Sequence, residues 1–195
     1  SRGRNPRLTK EQIEDKLKTY LGCRKVLWLG DGIDPDETNG HVDDVACFIR
    51  PGEVACISTD DPSHPFYDAA KDAFERLSCM TDARGRRLKV HRVMLPARPV
   101  YVSGAETIRQ AEGTVRRTDG ALCAASYINF LITNGGVIVP QYGDENDAAA
   151  LSQIRALFPS REAVGVYTRE IVYGGGNIHC ITQQQPAAVG DIVSA

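Results

Sequence analysis

Long hydrophobic runs are missing from this sequence, and so is any excess of positive charge. The longest apolar stretches, Tyr127 to Thr133 and Gly136 to Pro140, fall far short of the roughly 20 residues that a membrane span requires, so no membrane is expected as a partner. Lys and Arg total 23 against 25 Asp and Glu, a formal net charge of -2. Such a balance offers no broad cationic field to hold a phosphate backbone, so no nucleic acid is expected either. Cysteines are few, six in all at positions 23, 47, 56, 79, 123 and 180, and no two form a CxxC pair. That excludes the short spacings of a zinc site or a disulfide-stapled domain and fits a reduced, cytoplasmic setting. Ser1 to Lys10 is polar and Arg-rich, without the apolar segment of a secretory address. What is present, 42% hydrophobic and 25% charged residues over 195 positions, is the balance of an ordinary globular protein.

Two segments about eighty residues apart share one plan of hairpin, helix and strand. In the first, Val45 to Arg50 and Glu53 to Ile57 flank Pro51-Gly52. Pro65 to Cys79 then carries Phe66, Ala69, Ala70, Ala73, Phe74 and Leu77 at helical spacing, and Leu88 to Leu95 follows as a strand. In the second, Tyr127 to Thr133 and Val137 to Val139 flank Asn134-Gly135, a dipeptide suited to a tight turn with positive φ. A helix from Glu145 to Leu157, ended by Pro159, leads to a strand at Glu162 to Thr168. The opening residues supply only the second half of a unit: a helix from Lys10 to Tyr20 capped by Thr9 and stopped by Gly22, then a strand at Lys25 to Leu29. Asn177 to Thr182 reads as a strand of another unfinished unit, and Pro96 to Asp119 as a long connection. The chain is therefore expected to be a segment of a larger repeat protein, completed by a missing N-terminal half or by a partner copy.

Two stretches break this pattern. Gly30 to Asp44 packs six carboxylates, three glycines and one histidine directly after the strand at Lys25 to Leu29. By itself it reads equally well as a solvated acidic turn, and it lacks the alternation and terminal Glu of a calcium loop, so no metal is expected. His41 and Asp43 stand two apart where a strand is expected to begin, which would project both side chains from one face. A histidine titrating near neutrality beside a carboxylate provides a proton shuttle with an anionic anchor, suited to a cation that must lose an amine. The second stretch, Tyr173 to Pro186, runs through three consecutive glycines to Cys180. It has neither the GxGxxG fingerprint nor the Lys-Ser/Thr of a phosphate loop. Cys180 is either a nucleophilic thiolate or an inert thiol beside a Gly-rich turn, while the other five cysteines read as small buried hydrophobes.

Taken together the two stretches resemble the agmatine deiminases of the guanidine-modifying superfamily. The resemblance is carried by Arg4-Asn-Pro6, Trp28-Leu-Gly30, Asp36-Glu-Thr-Asn-Gly-His-Val-Asp43, Phe48-Ile-Arg-Pro-Gly52, Tyr127-Ile-Asn-Phe130, Val139-Pro-Gln-Tyr-Gly-Asp144 and Gly174-Gly-Gly-Asn-Ile-His-Cys-Ile-Thr-Gln-Gln184. It implies an α/β pentein fold of ββαβ repeats around a pseudo-fivefold axis, of which this chain holds an incomplete set from the C-terminal half. It also implies hydrolysis of a small cationic guanidine, agmatine, to N-carbamoylputrescine and ammonia, without metal or organic cofactor. Cys180 would be the nucleophile, His41 the acid and then the base, and Asp43 the anchor of the guanidinium. Glu37 matches a family carboxylate near the substrate and would attract the distal amine. A second guanidinium-clamping carboxylate belongs to the absent half, so the isolated chain is expected to turn over agmatine negligibly. Peptidylarginine or free arginine as substrate, and a non-catalytic polyamine-binding module, are the competing readings.

Overall fold

The computed structural model describes residues 5–33, 40–105, 112 and 117–185. Helix α1 (Lys10–Leu21) opens with a reciprocal cap: the Thr9 hydroxyl accepts from the Gln12 amide at 3.2 Å, and the Gln12 side chain accepts from the Thr9 amide at 2.9 Å. No residue of α1 is buried. The helix is tied down by Trp28, whose indole N–H donates to Glu14 at 2.7 Å and whose ring lies 5.2 Å from the Lys10 ammonium.

Both expected repeats are present. Strands β1 (Ala46–Arg50) and β2 (Glu53–Ser58) form an antiparallel hairpin, helix α2 (Tyr67–Cys79) crosses over, and β3 (Lys89–Met94) returns parallel to β2. Strand β2 lies in the middle of its sheet, and Val54 to Ile57 are at most 2% exposed. A strand covered on both faces needs a continuous apolar run rather than alternation, which is what Val54-Ala-Cys-Ile57 supplies. Helix α2 sets Ala70, Ala73 and Leu77 on the sheet, one face at helical spacing whose small residues allow close approach. The second unit repeats the order with β4 (Leu131–Ile132), β5 (Gly136–Gln141), α3 (Asp147–Leu157) and β6 (Glu162–Tyr167). Here Ala150, Ile154 and Leu157 face the core. A short helix α4 (Arg169–Val172) follows.

Polar bonds join the units across an otherwise apolar core. The Met94 amide donates to Gln153 on α3 at 3.0 Å, and the Asn146 carboxamide donates to the Leu95 carbonyl at 2.9 Å. Asp144 accepts from the amides of Ala97 and Arg98 at 2.8 and 3.1 Å, and the Arg50 guanidinium donates to the Leu157 carbonyl. No helix among the described residues is long and apolar enough to cross a membrane.

Several expectations need correction. Lys25 to Leu29 makes no ladder among the described residues, because a strand exists only where a partner presents its backbone. Leu27 and Leu29 pack on the core instead, and the Lys25 ammonium donates to Thr81 at 2.8 Å. Strand β4 is confined to Leu131 and Ile132, since Tyr127 to Phe130 turn inward. The Tyr142 hydroxyl steers them by donating to the Ser126 carbonyl and accepting from its amide, both at 3.0 Å. Gly135 avoids positive φ, and the turn is closed by the Thr133 hydroxyl, which accepts from the Gly136 amide at 3.0 Å. In the long connection, Val100 to Val102 bridge back to residues 120–123, while 106–111 and 113–116 lie outside the described residues. All six cysteines are free; Cys56 and Cys123 are buried, Cys23 and Cys47 half-buried, and Cys79 exposed. Cys79 lies two positions past core-facing Leu77, which turns it to the opposite side of α2.

The turn into α3 hangs on Asp147, whose carboxylate accepts from the Tyr127 hydroxyl at 2.6 Å and from the amides of Tyr142, Gly143 and Asp144 at 3.1, 2.8 and 3.2 Å. Asp147→Ala strands these donors and is expected to lower stability by about 3 kcal/mol, read from the midpoint of urea unfolding.

Candidate active site

Three parts of the chain meet at one place. The acidic loop is pinched at its base: a Cβ on Gly32 would lie 2.3 Å from the Gly40 Cα, so only two glycines allow the two sides of the loop to approach this closely. Residues 34–39, and with them Glu37, lie outside the described residues. After His41 the chain makes a 3-10 turn, Val42–Asp44, closed by the Val45 amide on the Val42 carbonyl at 2.9 Å. The strand expected to carry His41 and Asp43 therefore begins later, at Ala46, and the period-two argument does not apply. The turn nonetheless points Asp44 into the core, 1% exposed, and leaves His41 Nδ1 3.8 Å from Asp43 Oδ1.

The second part is the glycine turn after α4. Gly175 has φ +100, and a Cβ there would strike the Arg117 guanidinium at 2.6 Å. A Cβ on Gly176 would sit 2.6 Å from both the Cβ and the Sγ of Cys180. The space that Gly176 leaves open is thus the space the sulfur occupies. The expected strand at Asn177 to Thr182 is a turn instead, with the Ile181 amide on the Asn177 carbonyl and the Thr182 amide on the His179 carbonyl, each at 3.1 Å. Asn177, fully buried, drives this geometry: its side chain accepts from the Ile178 amide at 2.9 Å and donates to the Tyr142 hydroxyl at 3.2 Å.

The third part is Asn129, fully buried, reaching in from the second unit. Its amide nitrogen lies 2.9 Å from Asp44 Oδ1, 3.2 Å from Asp43 Oδ2 and 3.2 Å from Cys180 Sγ. Its side-chain oxygen accepts from the His179 and Cys180 amides at 3.0 and 3.4 Å. The Cys180 thiol donates to Asp43 Oδ2 at 3.1 Å, and His179 Nδ1 approaches the same oxygen at 2.9 Å. Sulfur, two imidazoles and a carboxylate converge, joining three residues singled out from sequence, Cys180, His41 and Asp43. Asn129, His179, Asp44 and Asn177 are additions. Asn129 lay within the motif Tyr127-Ile-Asn-Phe130, and its further signal is a polar residue inside an apolar run, since a buried carboxamide persists only with partners.

Electrostatics follow from these contacts. Cys180 is an exposed residue, yet its thiol is pushed up to about 11, first by partial loss of hydration and then by its hydrogen bond to Asp43. Burial also pushes Asp43 up, but the bonds from Cys180 and His179 outweigh it and hold the carboxyl below its usual range. Asp43, Asp44 and Cys180 each bring a ligand atom within 4.8 Å of the others. A soft divalent ion would need the thiol proton removed and Asn129 displaced from Asp44 to use that set. A pKa of about 11 leaves about one sulfur in a thousand ionised at pH 8. Alkylation of Cys180 by iodoacetamide in the ligand-free full-length protein is accordingly expected to climb with pH up to about 11; a plateau near pH 8 contradicts this reading.

The sequence pattern of the Porphyromonas-type peptidyl-arginine deiminase family matches residues 1–186. A Lactococcus lactis protein provisionally named agmatine deiminase is 66% identical over 188 residues, spanning 96% of this chain and 51% of its own. The structure of an Enterococcus faecalis agmatine deiminase, determined while catalysing its reaction, superposes with a TM-score of 0.92 at 65% identity, over 95% of this chain and 51% of that one. A Porphyromonas gingivalis structure provisionally described as an arginine deiminase superposes at 0.76 with 32% identity, over 94% and 49%. The chain spans about half the length of the relatives it matches. Its ββαβ units are those of the pentein fold these proteins share, and the chain belongs to the Porphyromonas-type peptidyl-arginine deiminase family.

Proposed function

We propose that this chain carries the nucleophile and the proton shuttle of an enzyme that hydrolyses agmatine to N-carbamoylputrescine and ammonia. The observation that supports this most directly is Asp43, with the Cys180 sulfur 3.1 Å from one carboxylate oxygen and His41 3.8 Å from the other. Agmatine is favoured over free arginine and peptidylarginine because identity is 65–66% to relatives named for agmatine, against 32% and 27% to structures provisionally described as an arginine deiminase and a peptidyl-arginine deiminase.

The ligand-free site is silent, since a thiol near pKa 11 that donates to a carboxylate does not attack. A guanidinium laid on Asp43 takes that oxygen's lone pairs and puts a positive charge beside the sulfur, and both changes lower the thiol's pKa. His41 takes the thiol proton, and the thiolate adds to the guanidinium carbon, giving a neutral tetrahedral adduct. The proton on His41 passes to one nitrogen, ammonia leaves, and a cationic amidino-thioester remains on Cys180. Neutral His41 then draws a proton from water as its oxygen bonds to the same carbon. Collapse forms the C=O bond of the ureido product and breaks the C–S bond, the hydroxyl proton returns to sulfur, and His41 gives its proton to solvent, where it makes ammonium of the released ammonia. The reaction written this way uses no metal or organic cofactor. Glu37, outside the described residues, is assigned the distal amine on its match to the family carboxylate. Hydrolysis of the product's ureido group would give putrescine, a polyamine precursor, which suits a cytoplasmic role in polyamine synthesis.

Ammonia release from agmatine, peptidylarginine and free arginine by the full-length protein tests the assignment: agmatine alone is expected to react well, and Cys180→Ser to abolish turnover. Asp43→Asn separates two effects of one carboxylate. Alkylation of Cys180 at pH 8 is expected to speed up by about tenfold per unit of lowered pKa, while turnover falls by about a hundredfold or more through loss of the anchor. Gly176→Ala displaces the sulfur and is expected to cost about a hundredfold in turnover. The isolated 195-residue chain is expected to release ammonia negligibly, and enzyme-like rates from it would overturn the view that the other half completes the site.

A further inference from the structure

The Asn129 carboxamide has two hydrogens and three acceptors within reach. The shortest contact, 2.9 Å to buried Asp44, takes one of them. Asp43 Oδ2 and Cys180 Sγ, each at 3.2 Å, compete for the other. While the thiol is protonated, the carboxylate is the stronger acceptor. Once a guanidinium occupies Asp43 and the thiol proton has left, the sulfur carries the charge, and the second N–H has a better acceptor there. The other end of the same side chain already holds the Cys180 and His179 amides, so the sulfur and its donor belong to one rigid unit. The Asn177 backbone also hydrogen-bonds to this sulfur and, like the Asn129 side chain, favours its ionised form.

We infer that Asn129 is the positioning residue that switches a hydrogen bond from Asp43 to the Cys180 sulfur when substrate arrives, coupling cation binding to formation of the thiolate. This rests on the deimination proposed above for its catalytic consequence, but not for its effect on the sulfur. Only asparagine suits both roles of this side chain, holding the backbone amides and donating to the sulfur. Aspartate would put a third carboxylate among Asp43, Asp44 and the sulfur, and alanine would remove every side-chain donor.

The experiment compares wild type, Asn129→Ala and Asn129→Asp in the full-length protein by two readouts, steady-state ammonia release from agmatine and the pH profile of Cys180 alkylation by iodoacetamide. Asn129→Ala is expected to lower kcat by about a hundredfold with KM changed less than about threefold. It is also expected to move the alkylation profile upward by about one pH unit. The isosteric Asn129→Asp, which fills the same space, is expected to move the profile at least as far in the same direction, and it carries the test if Asn129→Ala does not fold. An unmoved alkylation profile in the folded variant overturns the inference, as does a rise in KM with kcat unchanged, since either marks Asn129 as packing only. If wild type releases no ammonia from agmatine, the proposed function fails by itself, and the alkylation profiles still decide the role of Asn129.

Discussion

One carboxylate oxygen, Asp43 Oδ2, has three donors around it: the Cys180 thiol, the His179 imidazole and the Asn129 carboxamide, 137, 136 and 86 residues away in sequence. A carboxylate partly withdrawn from water stays ionised only if donors replace the lost hydration, and these three do so. The arrangement has a chemical consequence. The same bond that keeps Asp43 charged keeps the Cys180 proton in place, so under the proposed function the nucleophile stays masked until a cation claims the oxygen. Proteins that hold a permanent thiolate place it beside positive charge; here the nearest charge of full strength is the Asp43 carboxylate, and under the proposed function the substrate brings the positive one.

The fold serves that oxygen by fixing three short segments that have no regular structure of their own. The 3-10 turn at Val42–Asp44 is set by the start of β1, and its depth by the pinch at Gly32 and Gly40. The turn carrying Cys180 is set by Asn177 and Tyr142, both buried. Asn129 is placed by Tyr142 and Ser126, which pull Tyr127 to Phe130 out of the sheet. Tyr142 thus touches the supports of two of the three segments, and Asp147, which binds the Tyr142 amide, anchors both to α3. Buried polar networks of this kind cost stability if half satisfied and give a unique geometry when complete.

The repeated unit was legible because strong local signals agree with the global pattern: Pro51-Gly52 between two apolar runs, Ala70, Ala73 and Leu77 at helical spacing, Thr9 before Gln12 at a helix start. The strands predicted at Lys25 to Leu29 and Asn177 to Thr182 failed for a different reason. Their apolar content is real, but a ladder depends on a partner, and a turn depends on side chains such as Asn177 that compete for the backbone. Within the site, Cys180, His41 and Asp43 stood out by residue type and by motif, whereas Asn129, although inside the motif Tyr127-Ile-Asn-Phe130, did not stand out by residue type. An asparagine in an apolar run carries no local mark of the contacts at 85 and 51 residues' distance that explain its burial.

The proposed catalysis comes down to a covalent bond between one sulfur and the guanidinium carbon. Acid quenching of the full-length protein during turnover of agmatine, followed by mass spectrometry of the peptide that contains Cys180, measures that bond directly. The expected result is a species heavier by agmatine less one ammonia, confined to Cys180 and absent when ligand is omitted. Ammonia release at full rate with Cys180 unmodified at every quench time, or the same adduct on another cysteine, would contradict it.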